Sequence, residues 1–366
     1  MQETNVNALK PIELTVSMGG EGDYPRIAPW PWSYVKKSFQ QNIAAAAYEE
    51  PATIEEISRK TGIPAYYVEK EVKILVDHEL MHKNRNKYQT NFLILRYPVL
   101  KKIDQINSQY ASKITETFKN DIENIEDDIR KIGFYDAGKD YKEQLWTILP
   151  FAFREAEYKD VFIPEKIFRP PKRKDGGRWY VHGLELLDLK KTGFSQNSCG
   201  AYNSKVLLTI YSTHNVSDKL TMKELPMTDK VELLYKIYNN DIELKNISND
   251  IKDKITFLIQ EEKKKKKGSD LKVKTLYLNQ EQFNDLKDVF SNIFENYKDE
   301  FSALKEKIIN TLNMAVPDHL KKQLEHYAPY MCFDIGAYIM KSLYNDNVLL
   351  PPKEPDTAGV VMLDKK

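Results

Sequence analysis

Only two cysteines occur in 366 residues, Cys199 and Cys332, far apart and in no CxxC or Cys/His cluster. Neither a disulfide framework nor a structural zinc site can be built from them. Charge of one sign is also missing. Lys+Arg 55 against Asp+Glu 54 leaves a net +1, so no global field draws the chain to nucleic acid or to a membrane. Any anion-binding surface must come from local clustering. No run approaches the roughly 18 apolar residues of a membrane span. Met1-Gln2-Glu3-Thr4-Asn5 has neither the basic nor the apolar region of a secretory signal, so a cytoplasmic location is expected. Signatures of catalysis are absent too: no GxSxG, HExxH, Walker or GxGxxG pattern occurs. The six histidines (His78, His82, His182, His214, His319, His326) are scattered. His182 near Glu185, or His326 near Cys332, are neighbours of the kind that arise by chance. The expectation is a protein that is not an enzyme, with no catalytic residues, no metal and no cofactor.

What is present suits an ordered chain of two or three domains: 41% hydrophobic and 30% charged residues. Residues 1–24 are polar, with Gly19-Gly20-Glu21-Gly22-Asp23, and read as a loose lead-in. Pro29-Trp30-Pro31-Trp32 follows and cannot be helical throughout, because each proline restricts the residue before it. Two uses are open for it: a hydrophobic staple at the mouth of a helix starting near Ser33, or an aromatic docking surface for a partner.

Residues 43–91 are the most informative stretch. A helix over about Ser33–Tyr48 carries Val35, Phe39, Ile43, Ala46 and Ala47 at helical spacing. Thr53 stands three residues before Glu56, a capping-box spacing that starts a second helix. Gly62 suits its end, and Pro64 suits the first turn of a third. Ile63, Val68, Val72 and Leu75 fall on the inward side of that third helix. Ala65, Tyr66, Tyr67, Glu69, Lys70 and Lys73 are left outside. Glu79-Leu80-Met81 leads into a polar hairpin, Lys83-Asn84-Arg85-Asn86-Lys87-Tyr88.

This order of helices, glycine turn and basic hairpin is that of a winged helix-turn-helix. Over residues 33–95 the chain resembles the winged-helix bacterial transcription regulators, with the module taken as 25–96. The family shows a Gly-Leu-Ile-like step into the wing, where this chain has Glu79-Leu80-Met81. The resemblance implies that Tyr66, Tyr67, Lys70 and Lys73 meet base edges and phosphates. It places Lys83, Arg85 and Lys87 in the wing, along the backbone or in a minor groove. Lysine and arginine neutralise phosphates and release counterions, and an arginine at a hairpin tip can sense a narrow minor groove. There is a departure: between Thr53 and Thr90, seven basic residues face six acids. Glu69 stands on the predicted groove face, so binding is expected to be weak per module.

From Pro98 to Ile132, apolar residues recur in steps of three and four (Leu100, Ile103, Ile106, Tyr110, Ile114, Phe118, Ile122, Ile125, Ile129, Ile132). Residues 97–140 are therefore long connecting helices, or a dimerising coiled coil. Residues 141–225 read as a small α+β unit. It has a helix over 141–157, then short β-branched and aromatic runs at Val161–Ile163, Ile167–Phe168, Trp179–Val181 and Val206–Tyr211, and a turn signal at Asp175-Gly176-Gly177. A second winged-helix-like module is expected over 226–280, with a basic hairpin around Gly268-Ser269-Asp270. There Lys264, Lys265, Lys266 and Lys267 are either a second wing or a solvated hairpin edge. The hairpin residues Arg169, Lys172, Arg173, Lys174 and Arg178 carry the same two readings. Residues 281–350 look helical, and 351–366 form a polar tail.

The fold class expected is mainly α with small β-hairpins (α+β). The function expected is a DNA-binding transcriptional regulator whose partner is double-stranded DNA and which acts by site occupancy. Self-association as a homodimer, or docking on the transcription machinery, would complete its partners, and no membrane is involved. Two rivals stay open. One is a winged-helix protein-interaction adaptor without DNA binding, using Pro29–Trp32 and the long helix. The other is a ligand-sensing regulator with an aromatic pocket near Trp146, Trp179 and Tyr180.

Overall fold

Thr53 opens its helix as its spacing to Glu56 predicts. In the computed structural model the Glu56 N–H donates to Thr53 Oγ1 at 3.2 Å and the Thr53 N–H to Glu56 Oε2 at 2.8 Å. The structure describes residues 10–20, 31–155, 172–185, 194–202, 206–215, 236–238, 247–249, 259–263, 269–273, 276–350 and 358–364. The reciprocal pair begins α2 (Ile54–Thr61), and Gly62 at φ 72° ends it in the left-handed conformation glycine adopts without steric cost. α3 (Ala65–Asp77) follows, with Pro64 as its N-cap residue rather than inside its first turn. Val68, Val72 and Leu75 are buried, and burial of such side chains contributes roughly 1.5–3 kcal/mol each. Ile63, expected to join them, is only half-buried, and its carbonyl accepts from Ser58 Oγ at 2.6 Å.

α1 (Ser38–Ala46) starts later than its periodicity suggests. Pro31–Val35 is a separate 3-10 turn with Pro31 and Val35 buried, and Trp32 is half-buried with Lys36 Nζ 5.4 Å from its ring centre. Pro29 and Trp30 lie outside the described residues. Phe39, expected in the apolar stripe, is 37% exposed, whereas Gln41 and Asn42 are buried. The cause is a strand where a loose lead-in was expected: β1 (Leu14–Gly20). Asn42 Nδ2 donates to the Ile12 carbonyl at 3.0 Å and its Oδ1 accepts from the Ile12 N–H at 2.9 Å. Gln41 does the same with Leu14, at 3.0 and 2.8 Å. The two amides imitate a neighbouring strand, so buried backbone groups are paired without one.

β1 runs antiparallel to β5 (Trp179–Glu185), which is parallel to β4 (Leu93–Leu95). β5 is reached through the hairpin that Asp175-Gly176-Gly177 predicts, with Gly176 at φ 84° and Trp179 Nε1 donating to Asp175 Oδ2 at 2.8 Å. Lys172 and Arg178 bridge across that hairpin, while Arg169 lies outside the described residues. Glu185 pairs with Arg96 (Nε to Oε2, 3.0 Å) rather than with His182. It also accepts the Tyr97 N–H at the start of α4 (Tyr97–Asn124). Desolvation works against its charge, but these donors and Arg96 hold the carboxyl below its ordinary range.

The chain divides into two compact units that alternate along the sequence rather than following consecutive segments. The first is Met1–Ile106, Ile163–Leu189 and Leu304–Met331, and it contains everything above except α4 beyond Ile106. The second is Asn107–Phe162, Lys190–Ala303 and Cys332–Lys366. Its core is aromatic: Phe118 stacks on Phe294 at 5.8 Å and meets Tyr297 edge-on at 5.5 Å. Ile114, Phe118, Ile122 and Ile129 are buried, so this part of the long apolar stripe packs within its own chain. After α4 come α5 (Glu126–Ile132) and α6 (Tyr141–Glu155), then α7 (Gln280–Glu295), α8 (Lys298–Asn313) and α9 (Leu324–Asn345), with α8 from Leu304 on and α9 up to Met331 assigned to the first unit. β6 (Phe194–Tyr202), β7 (Val206–Asn215) and β10 (Ala358–Asp364) form a sheet in the order β10-β7-β6. The tail read as polar thus contributes a strand, through Val360, Val361 and Met362 opposite Ile210, Thr209 and Leu208. β8 (Ile259–Lys263) and β9 (Ser269–Val273) pair antiparallel where a second hairpin was expected, but Ser269 and Asp270, expected at its turn, stand in β9 opposite Lys263 and Glu262. Lys264 to Lys267, the runs Val161–Ile163 and Ile167–Phe168, and nearly all of the helices expected before β8 lie outside the described residues. The protein is mainly helical with small sheets, an α+β fold, and among the described residues no helix is long and apolar enough to cross a membrane.

Two outcomes follow for the first unit. Gln41→Leu leaves buried backbone groups of Leu14 without partners and should lower stability by roughly 2–4 kcal/mol in urea titrations. His182, buried between Tyr180 and Tyr327, has its pKa pushed down from 6.5 to about 4 by desolvation. Between those values the unfolded chain binds a proton that the folded chain does not. Stability should therefore fall as pH drops through that window, with a slope approaching about 1.4 kcal/mol per pH unit. His182→Phe should remove this component when urea midpoints at pH 7 and 5 are compared.

Candidate nucleic-acid interface

The stripe that buries Val68, Val72 and Leu75 turns the opposite side of α3 outward. With 100° per residue, Tyr66, Lys70, Lys73 and Asp77 form the outermost line, flanked by Tyr67 and Glu69, and all six are exposed. Tyr66 is 74% and Tyr67 58% exposed, with their rings edge-on at 5.5 Å. Glu71, on the side toward α1, is half-buried and accepts from Gln40 Nε2 at 2.9 Å.

α3 ends in a Schellman turn. The Leu80 N–H donates to the Leu75 carbonyl at 2.8 Å and Glu79 takes φ 56°. Glycine is the easier residue there, and the resemblance noted above leads one to expect it. Glutamate adds its side chain: Glu79 Oε2 accepts the Lys174 N–H at 2.7 Å, and its carbonyl accepts from Asn91 Nδ2 at 2.9 Å. His78, just before, stacks on Tyr34 at 3.8 Å.

The hairpin then forms from β2 (Met81–Asn84) and β3 (Lys87–Thr90), with Asn84 opposite Lys87, so Arg85 and Asn86 alone make the turn. Arg85 takes φ 57° and projects at the tip. Lys83 lies over the Tyr88 ring at 5.6 Å, and Tyr88 exchanges two backbone hydrogen bonds with Ala52, at 2.9 and 2.8 Å. A single-residue third strand thereby anchors the hairpin between α1 and α2.

Thr90 fixes its base. The Thr90 N–H donates to the Ala47 carbonyl at 3.0 Å and Oγ1 donates to Ala44 at 2.6 Å. His319, from the 3-10 segment Asp318–Gln323, approaches the Thr90 carbonyl with Nε2 at 2.9 Å and Gln89 Nε2 with Nδ1 at 3.1 Å. A carbonyl only accepts, so Nε2 carries the proton and Nδ1 accepts the Gln89 amide. Gln323 Nε2 donates to both Asn91 oxygens, at 3.1 and 3.0 Å. No pattern near residue 319 announces this clasp, because its partners stand some 230 positions away.

Electrostatics sort the mixed local charge. Between Thr53 and Thr90 the exposed cations are Arg59, Lys70, Lys73, Lys83, Arg85 and Lys87, and the exposed carboxylates are Glu55, Glu69 and Asp77. Lys60 is half-buried and donates to the Ala46 carbonyl at 2.9 Å. Glu56, Glu71 and Glu79 are half-buried and accept internal bonds from Thr53, Gln40 and Lys174. The Thr53 N–H, with smaller help from Lys87, Lys60 and Arg59, holds the Glu56 carboxyl below its ordinary range.

All seven residues read as contacts (Tyr66, Tyr67, Lys70, Lys73, Lys83, Arg85, Lys87) are thus exposed on two consecutive elements. The second wing, Lys264 to Lys267, lies outside the described residues. Trp146, Trp179 and Tyr180 are core side chains, not the walls of an open pocket. Among the described residues no group of His, Cys, Asp or Glu is placed to hold a metal ion. No protein-family model, curated protein or solved structure matches the chain.

Because the clasp acts on backbone, loosening it should show in amide exchange. The variant His319→Ala with Gln323→Ala should raise exchange at the Tyr88 and Thr90 amides at least tenfold, since each bond lost contributes roughly 1 kcal/mol and about 1.4 kcal/mol is a factor of ten. Exchange in α2 should change little in the same mass-spectrometric measurement.

Proposed function

We propose that residues 33–95 form a winged helix-turn-helix and that the protein binds double-stranded DNA, controlling transcription by occupying a site. No covalent step is involved. In this reading α3 enters the major groove and the hairpin Met81–Thr90 lies on the backbone or in the adjacent minor groove. The observation that carries it is the division of α3. One side is sealed by Val68, Val72 and Leu75, while Tyr66, Tyr67, Lys70 and Lys73 stand in solvent beside a hairpin bearing Lys83, Arg85 and Lys87. Counterion release from the phosphates supplies the attraction. Six exposed cations against three exposed carboxylates make it modest per module, so a second module or a second copy of the chain would strengthen it. The hairpin of β8 and β9, with Lys264 to Lys267 between its strands, is the candidate second wing.

The exposed tyrosines support one other use, since large aromatic side chains anchor protein interfaces. An adaptor of that kind forms a complex with little salt dependence and leaves duplex DNA unbound.

Fluorescence anisotropy with a 30-base-pair duplex across a salt series separates the two. Reversing Arg85 and Lys87 together (R85E, K87E) should weaken binding to every duplex and reduce the slope of log K against log salt by about two. Substituting Tyr67 or Lys70 should instead change the order of preference among sequences. Unchanged affinity in all these variants would remove the assignment of this surface.

A further inference from the structure

The open face of α3 is narrow in what it offers a base pair. Its exposed residues are Ala65, Tyr66, Tyr67, Glu69, Lys70, Lys73 and Asp77. Guanine is most often read by an arginine fork and adenine by the amide of asparagine or glutamine, and this face has none of the three. Its first turn instead presents a methyl group and two tyrosine rings, 74% and 58% exposed and edge-on to one another at 5.5 Å. The N-terminal end of a recognition helix is the part that meets base edges. The apolar feature of the major groove is the thymine 5-methyl group. Rings held in the open at that end are suited to cover it.

The hairpin tip points the same way. Arg85 occupies the first position of a two-residue turn at φ 57°, between Asn84 and Lys87, with its side chain exposed. A lone guanidinium on a protruding turn fits a narrow, strongly negative minor groove, which is a property of A·T tracts. Two groups on this face could favour G·C. Lys70 can donate to guanine, but as a single point donor without the paired geometry of arginine. Glu69 can accept from cytosine, but it stands about 60° round the helix from Tyr66.

Resting on the DNA-binding reading above, we propose that this site selects A·T-rich duplex. Tyr66 and Tyr67 pack on thymine methyl groups in the major groove, and Arg85 reads the minor groove.

Four duplexes of one length test it by anisotropy across a salt series, their affinities compared at one salt: A·T, A·U (which lacks the 5-methyl group), I·C (with the minor groove of A·T and the major groove of G·C), and G·C. The expected order is A·T tightest, with A·U weaker by roughly fourfold per methyl contacted and I·C tighter than G·C. Tyr66→Ala with Tyr67→Ala should bind A·T and A·U alike. Arg85→Ala should remove the difference between I·C and G·C. Salt-dependent binding that is equal for all four duplexes, or tightest for G·C, overturns the selectivity and leaves DNA binding standing. A loss on A·U that persists in the double tyrosine variant overturns the assignment to these residues. Absence of salt-dependent binding to any duplex removes both readings.

Discussion

A helix leaves its last carbonyls without partners of its own, and at the end of α1 those carbonyls are surrounded by buried alanines. Leaving one unpaired there costs roughly 1–3 kcal/mol. Three of them find donors in two later elements. Ala46 accepts from Lys60 at the end of α2, while Ala44 and Ala47 accept from the hydroxyl and N–H of Thr90 at the base of the hairpin. The small alanine side chains allow those donors to reach the backbone. α2 and the hairpin are thereby tied to one helix end, and α3, which joins them, has little freedom left. Its buried stripe then decides which residues face solvent.

The same requirement explains the polar side chains inside the first unit. Gln41 and Asn42 occupy positions that helical periodicity would give to apolar residues, because the backbone at Ile12 and Leu14 needs partners there. Glu56, Glu71 and Glu79 are likewise engaged in holding the fold. These carboxylates are half-buried and keep their charge, while most of the cations stand further out. The balance of seven cations and six acids between Thr53 and Thr90 becomes six and three among exposed side chains.

Legibility followed the range of the interaction. The Thr53–Glu56 box, the glycine end at Gly62, the Asp175-Gly176-Gly177 turn and the inward set Val68, Val72 and Leu75 were readable, because each depends on residues within a turn or two. The candidate contacts were readable for the same reason, as the complement of that inward set. The start of α1 was misplaced because Phe39 fits an apolar period although its neighbours serve the backbone of Ile12 and Leu14. β1 and β10 were missed because glycine and polar flanks disguised strands whose partners, β5 and β7, are remote. Glu79 replaced an expected glycine for a reason visible only at Lys174.

By itself the sequence determined the succession of three short helices and a basic hairpin, and the long amphipathic helix after them. Caps, left-handed turns and a 3.6-residue period act along the chain and leave local marks. Tertiary structure alone decided which donors close the end of α1, which strand lies beside β1, that a stretch of the long apolar stripe packs within the chain, and that His319 and Gln323 hold the hairpin's base. Those choices are made by hydrogen bonds and ring contacts between residues as many as 232 positions apart. A backbone carbonyl carries no local signal of which distant group will satisfy it.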